Sequence, residues 1–252
     1  MVIGEFGSML VTLPAACHHF RRFDSSSSFP DQPLHVYSAQ LLKFALPLST
    51  NRLCINLLQA IEAACIPAQL QIYGHSNADA LSVYGVLTGM ALPLIFFPGA
   101  LTNSVSVLLM PAVSEANSQQ NHKAIHNTVR RCLSGCILLG GFCCLFFLCL
   151  GQFIGMHLFE SRLAGHFIMI LSFTCPFLYL NTTLTSILHG LGKTGFPFFL
   201  NMTSLLLRLF FVFFAIPIYG IKGYLAGMLL GQIFTTLCSL WSLRKYLFSC
   251  IL

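Results

Sequence analysis

Three charges in this 252-residue sequence have long apolar runs on both sides: Arg52, Glu62 and Arg208. A charge at the centre of a nonpolar helix costs about 2.5–3.5 kcal/mol on insertion scales, so each needs a partner or a purpose. Arg52, Asn56 and Gln59 recur at i, i+4 and i+7, and Glu62 follows three residues after Gln59. That spacing aligns all four along one helical face. Asn201, Ser204 and Arg208 form a second face at i, i+3 and i+7. Neither face can look at lipid, where its donors would go unsatisfied. Each lines a polar cavity or meets another helix in an internal ion pair, Arg52 with Glu62 or Arg208 with Glu62. A cation on a cavity wall suits an anionic ligand such as a phosphate, because guanidinium offers two parallel hydrogen bonds. The expected cavity-lining set is therefore Arg52, Asn56, Gln59, Glu62, Asn201, Ser204 and Arg208.

Other chemistry finds little material. The seven acidic residues form no carboxylate pair, and no Ser/His/Asp arrangement stands at a surface. No catalytic residue is assigned, and the chain is not read as an enzyme. Most of the 11 cysteines lie in apolar runs, and no CxxC pair occurs; there they behave as small hydrophobes. His122 and His126 are four apart but lack a third ligand, so neither a metal site nor a cofactor is expected. Gly190-Leu191-Gly192-Lys193-Thr194 lacks the full phosphate-loop spacing and a preceding strand. Gln232, Thr235, Thr236 and Ser239 read as helix-packing hydroxyls and amide, and Gly223, Gly227 and Gly231 as a surface for close helix approach.

The elements that must carry the polar faces follow from composition. Charged residues make up 8% of the chain and hydrophobic residues 56%, with 24 Phe. A soluble domain carries about 25% charged residues. A soluble enzyme, a disordered chain and a nucleic-acid binder are excluded on that ground, and no nucleic acid is expected as a partner. The sequence is that of an all-α polytopic membrane protein, with the lipid bilayer as its first partner. A spanning helix needs about 20 apolar residues. Long apolar stretches, uncharged apart from Lys43, Arg52, Glu62 and Arg208, place six spans at about 41–69, 85–111, 132–158, 164–191, 195–219 and 223–243, within a lobe covering 38–247. Residues 1–17 read as a partial hydrophobic helix, 18–37 as a mobile cytoplasmic linker and 248–252 as a tail.

Alternating sides across six spans puts Arg21, Arg22, Lys43, Lys123, Arg130, Arg131, Lys193, Arg244 and Lys245 on one side, with only Arg162 and Lys222 opposite. Basic residues concentrate in the cytoplasm. Both ends of the six-helix unit are thus expected there, in a multi-pass protein of the plasma membrane.

Several stretches resemble a known family. Leu42-Lys43-Phe44-Ala45-Leu46-Pro47-Leu48, Asn51-Arg52-Leu53 and Gln59-Ala60-Ile61-Glu62 resemble the start of the second lobe of the polysaccharide-type flippases. So do the run from Leu81 to Leu94, with Gly85, Gly89 and Pro93, and the continuation Leu109-Met110-Pro111-Ala112-Val113-Ser114-Glu115-Ala116. These flippases belong to the multidrug/oligosaccharidyl-lipid/polysaccharide exporter superfamily. Leu188-His189-Gly190-Leu191-Gly192-Lys193-Thr194 and Tyr219-Gly220-Ile221-Lys222-Gly223-Tyr224 resemble loop motifs shared across it.

The resemblance implies a MATE-like fold of two six-helix lobes around a central cavity, alternating access, and an anionic lipid-linked saccharide or cell-wall precursor as cargo, in the setting of sporulation. Members are about twice as long, so the chain is expected to be one lobe. It is either a truncated product or a partner for a missing first lobe or a second chain. Two other readings stay open. One is a cation-coupled multidrug antiporter, with Glu62 taking H+ or Na+; the other is a non-transporting scaffold for envelope assembly.

Overall fold

The computed structural model describes the backbone over 34–120, 122–193 and 195–249, and side chains over 53–120, 123, 125–193 and 195–245. The expected segments 1–17 and 248–252 fall wholly or mostly outside the described residues. Of the linker expected at 18–37, only 34–37 is described, as the first turn of a helix. The chain divides into two units, Met1–Thr50 and Asn51–Leu252, and the core and the site belong to the second.

The described residues contain helices and no strand. In order they are α1 (Leu34–Tyr73), α2 (Asn77–Val86), a π-helical turn (Leu87–Ala91), α3 (Leu92–Phe96), α4 (Gly99–Ser118), α5 (His122–His157), α6 (Arg162–Ser172), α7 (Cys175–Gly190), α8 (Gly195–Phe214), α9 (Ile216–Tyr219) and α10 (Ile221–Ser249). Helix starts follow local chemistry. Ser76 caps α2 by accepting from the Asp79 amide, and Ser161 caps α6 by accepting from Ala164. Gly220 ends α9 at φ +62°, a conformation that side chains resist.

Five helical stretches among the described residues are long and apolar enough to cross a membrane: Leu53–Tyr73, Asn77–Phe96, Ile125–His157, Gly195–Phe214 and Ile221–Lys245. The pair α6 and α7, bent by 54° at a short break, makes a sixth when taken as one span. The outward surface is the lipid-facing kind, with Leu138, Phe142 and Leu145 each about two-thirds or more exposed. This is an all-α polytopic membrane protein.

The segment expected as one span at 85–111 is instead divided. A π-helical turn interrupts it at Leu87–Ala91, and the helix stops at Phe97–Pro98 before α4 begins. Proline lacks the amide that would continue the hydrogen-bond ladder. Tyr179 of α7 is fully buried and donates its hydroxyl to the Ile95 carbonyl at 2.9 Å, just before the break. Tyr179→Phe is expected to strand that carbonyl and lower stability by about 1–3 kcal/mol. Thermal unfolding of the detergent-solubilised protein measures it, and an unchanged midpoint would remove Tyr179 as the anchor of the break.

Two apolar clusters form the interior. One gathers Ile66, Leu70, Leu87, Ile95, Phe167, Tyr179, Val212 and Tyr224; the other gathers Leu109, Val113, Ile125, Val129, Leu184, Ile187 and Leu243. α5 and α6 approach so closely that a Cβ on Gly155 would clash with the Gly165 backbone. Small residues at such crossings replace the hydrophobic drive that lipid cannot supply.

Candidate functional site

The two charged helical faces meet. Arg208 of α8 reaches α1, where its Nη2 lies 2.9 Å from Glu62 Oε1. The same Nη2 donates to the Tyr224 hydroxyl of α10 at 2.7 Å. Glu62 and Tyr224 are both buried, so three helices converge on one guanidinium. Gly231 of α10, lacking a side chain, leaves room for Ser204 and the Arg208 stem. A Cβ there would sit 2.9 Å from Ser204 Oγ and 3.6 Å from Arg208 Cγ.

These groups stand at a cavity of about 260 Å³. Gln59, Glu62 and Arg208 line it with Tyr84, Thr88 and Gln232, and Ile66, Leu92, Phe96 and Met228 supply apolar wall. Three polar atoms in this region, Glu62 Oε1, Arg208 Nε and Gln232 Oε1, are buried without a hydrogen-bond partner among the described residues, although Glu62 Oε1 does meet Arg208 as an ion pair. Such atoms are costly when left unmatched, by about 1–3 kcal/mol each. A donor and an acceptor both stand ready for a polar ligand.

The structure thus brings together Gln59, Glu62 and Arg208 from the expected set. Asn56 is exposed and lies outside the cavity lining, as do Asn201 and Ser204. Ser204 is buried against α10 at Gly231. Arg52 lies on the backbone of α1, and its side chain is outside the described residues. Tyr84, Thr88, Tyr224 and Gln232 complete the site beyond the sequence expectation. A periodic signal existed for two of them, since Tyr224, Met228 and Gln232 fall at i, i+4 and i+8 on one face of α10. Among the described residues no group of three or more His, Cys, Asp or Glu stands close enough to hold a metal ion.

The fold and cavity define a multi-pass membrane protein with a charged, partly apolar pocket inside a helical lobe. The MatE family model matches residues 68–214, more than half the chain, and the chain belongs to the MatE family. This is a family of membrane transporters, not of enzymes. Three proteins of Bacillus subtilis (strain 168) are similar to it. Stage V sporulation protein B is 26% identical over 210 residues, covering 82% of this chain and 40% of that protein. Sporulation protein YkvU is 25% identical over 78% of this chain and 45% of its own length. Uncharacterized membrane protein YabM is 22% identical over 73% and 34%. The chain therefore aligns with a third to somewhat under half of each of these relatives. No solved structure matches it.

Proposed function

We propose that this chain is one lobe of a plasma-membrane transporter that moves an anionic lipid-linked saccharide, such as a cell-wall precursor, by alternating access. A second lobe, in another segment or chain, closes the pathway, because rocking one repeat against another needs two. Both ends of the six-helix unit face the cytoplasm, where nine of the basic residues then lie. Similarity to two sporulation proteins supports a setting in spore formation. The observation that carries the reading is Arg208: a half-buried cation in a cavity, with its buried Nε unpartnered and Gln232 Oε1 open nearby. A phosphate or diphosphate group matches the first, and sugar hydroxyls match the second.

The antiporter alternative needs a carboxylate that is free to exchange H+ or Na+. Glu62 instead stands 2.9 Å from a guanidinium, which favours the anionic-cargo reading. The test uses a chimera in which residues 38–247 replace the matched segment of Stage V sporulation protein B. In reconstituted vesicles a fluorescent lipid-linked disaccharide diphosphate reports flipping. The charge-balanced pair Glu62→Gln/Arg208→Gln is expected to reach the membrane normally yet flip about 10–100 times more slowly. Flipping at the parental rate would sink the assignment. Sodium- or proton-driven dye export that is lost in Glu62→Gln alone would transfer it to the antiporter.

A further inference from the structure

A second concave feature shares no lining residue with the cavity. It is a groove of about 730 Å³ between the first turns of α5 and the last turns of α10. Both helices pack on α7 through the second apolar cluster, which leaves Val129 and Leu243 buried under the groove. Leu138, Leu237 and Trp241 stand exposed along its walls, each more than half accessible.

The groove has a polarity along its length. Arg130 and Arg244 line one end, with His126 nearby, and no acidic residue lines it among the described residues. α5 and α10 are the third and sixth spans, so they cross in opposite directions. The basic residue nevertheless falls at the same end on both, and apolar residues follow toward the middle. From Arg130 to Leu138 the helix advances about 12 Å, from the charged rim into the hydrocarbon depth. Lys123, Arg131 and Lys245 are exposed around the same end, and Lys245 sits over the Trp241 ring at 5.5 Å. A tryptophan beside a cation is the usual marker of the headgroup level. Arg130, Arg131 and Ser134 also line an adjoining depression, which widens the basic end.

We propose that this groove binds one anionic phospholipid from the leaflet that the basic loops face. Arg130 and Arg244 clamp the headgroup phosphate from two helices, and an acyl chain lies along Leu138, Leu237 and Trp241. Charge complementarity selects this occupant. An apolar protein helix would leave the five arginine and lysine residues at the rim unpaired, whereas basic pockets between spanning helices on the cytoplasmic side suit acidic lipid headgroups. The bound lipid would bridge α5 and α10, the two helices that α7 otherwise holds apart.

The experiment is native mass spectrometry of the detergent-solubilised chain, titrated separately with dioleoyl phosphatidylglycerol and dioleoyl phosphatidylcholine. The expected result is a 1:1 phosphatidylglycerol adduct that weakens about thirtyfold in Arg130→Gln/Arg244→Gln. Phosphatidylcholine binding should stay at its weak background in that variant. Removing equal charge from the opposite loops, in Arg162→Gln/Lys222→Gln, should leave the adduct intact and confirm that the effect is local. Ser134→Trp, at an exposed position on the groove wall, should weaken the adduct by obstructing the chain path. Three results would overturn the proposal: undiminished phosphatidylglycerol binding in both groove variants, full displacement by inorganic phosphate, or a protein dimer that Ser134→Trp abolishes.

Discussion

Replacing Arg208 by alanine is expected to cost about 3–5 kcal/mol, because it leaves the Glu62 carboxylate buried with no opposite charge. Few single changes reach that size. The loss reflects the geometry: Glu62 is 5% exposed, and among the described residues it pairs with the guanidinium 2.9 Å away. Tyr224 would lose its hydrogen-bond donor in the same step. Unfolding of the detergent-solubilised protein by heat or denaturant reads the effect. The comparison that gives it meaning is Glu62→Gln/Arg208→Gln, which removes both charges and retains hydrogen-bonding amides. Replacing a buried ion pair with neutral groups is often close to neutral for stability. The double variant should therefore recover most of the lost stability while remaining defective in transport. If Arg208→Ala alone unfolds at the parental midpoint, the ion pair is not buried in the way the structure places it.

Gly227→Val is expected to produce the second large effect, about 3 kcal/mol. A Cβ at position 227 would stand 2.5 Å from Phe211 Cβ and 2.6 Å from Phe211 Cγ. Those atoms lie at the base of the side chain, so no rotamer change of Phe211 clears them. α10 must then move away from α8, one turn from the contact between Arg208 and Tyr224. Loss of stability should be accompanied by separation of that pair. A fluorescent or spin label on each helix would show the distance between α8 and α10 increase. A stable protein with unchanged spacing would show that the stripe Gly223, Gly227 and Gly231 is not a packing surface.

Much of the architecture was legible because charge is so scarce. Uncharged runs set the expected spans at about 132–158 and 223–243, and the long apolar helical stretches Ile125–His157 and Ile221–Lys245 overlap them, with their charges confined to the ends. The internal breaks were harder to read. Pro98 is visible in the sequence, but the break there also involves a tyrosine more than 80 residues later, which takes up the Ile95 carbonyl. The bend between α6 and α7 has a local mark in Pro176, which opens α7, whereas the π-helical turn at Leu87–Ala91 carries no periodic signature. In the site, spacing alone put Gln59 with Glu62 and named Arg208, and the Arg208–Glu62 pairing was one of the options it offered. It could not fix the rotation of α8, which turns Ser204 against Gly231 while Arg208 extends to the cavity. Gln232 reads as a packing residue and Tyr224 is given no polar role, because glutamine and tyrosine on an apolar helix resemble packing residues until a partner is known.

The contact between Glu62 and Arg208 also has a consequence in time. The two residues are made far apart: at 5–20 residues per second, Arg208 leaves the ribosome roughly 7–30 s after Glu62. Until then α1 waits in or beside the insertion machinery with an unmatched carboxyl group. α8, in turn, carries an arginine that would resist entering lipid alone. The pairing therefore waits for α8, where the arriving cation and the waiting acid each lower the other's cost in the membrane. A nascent chain halted before α8 would present quality-control proteases with an exposed acidic helix face, and a completed one would hide it.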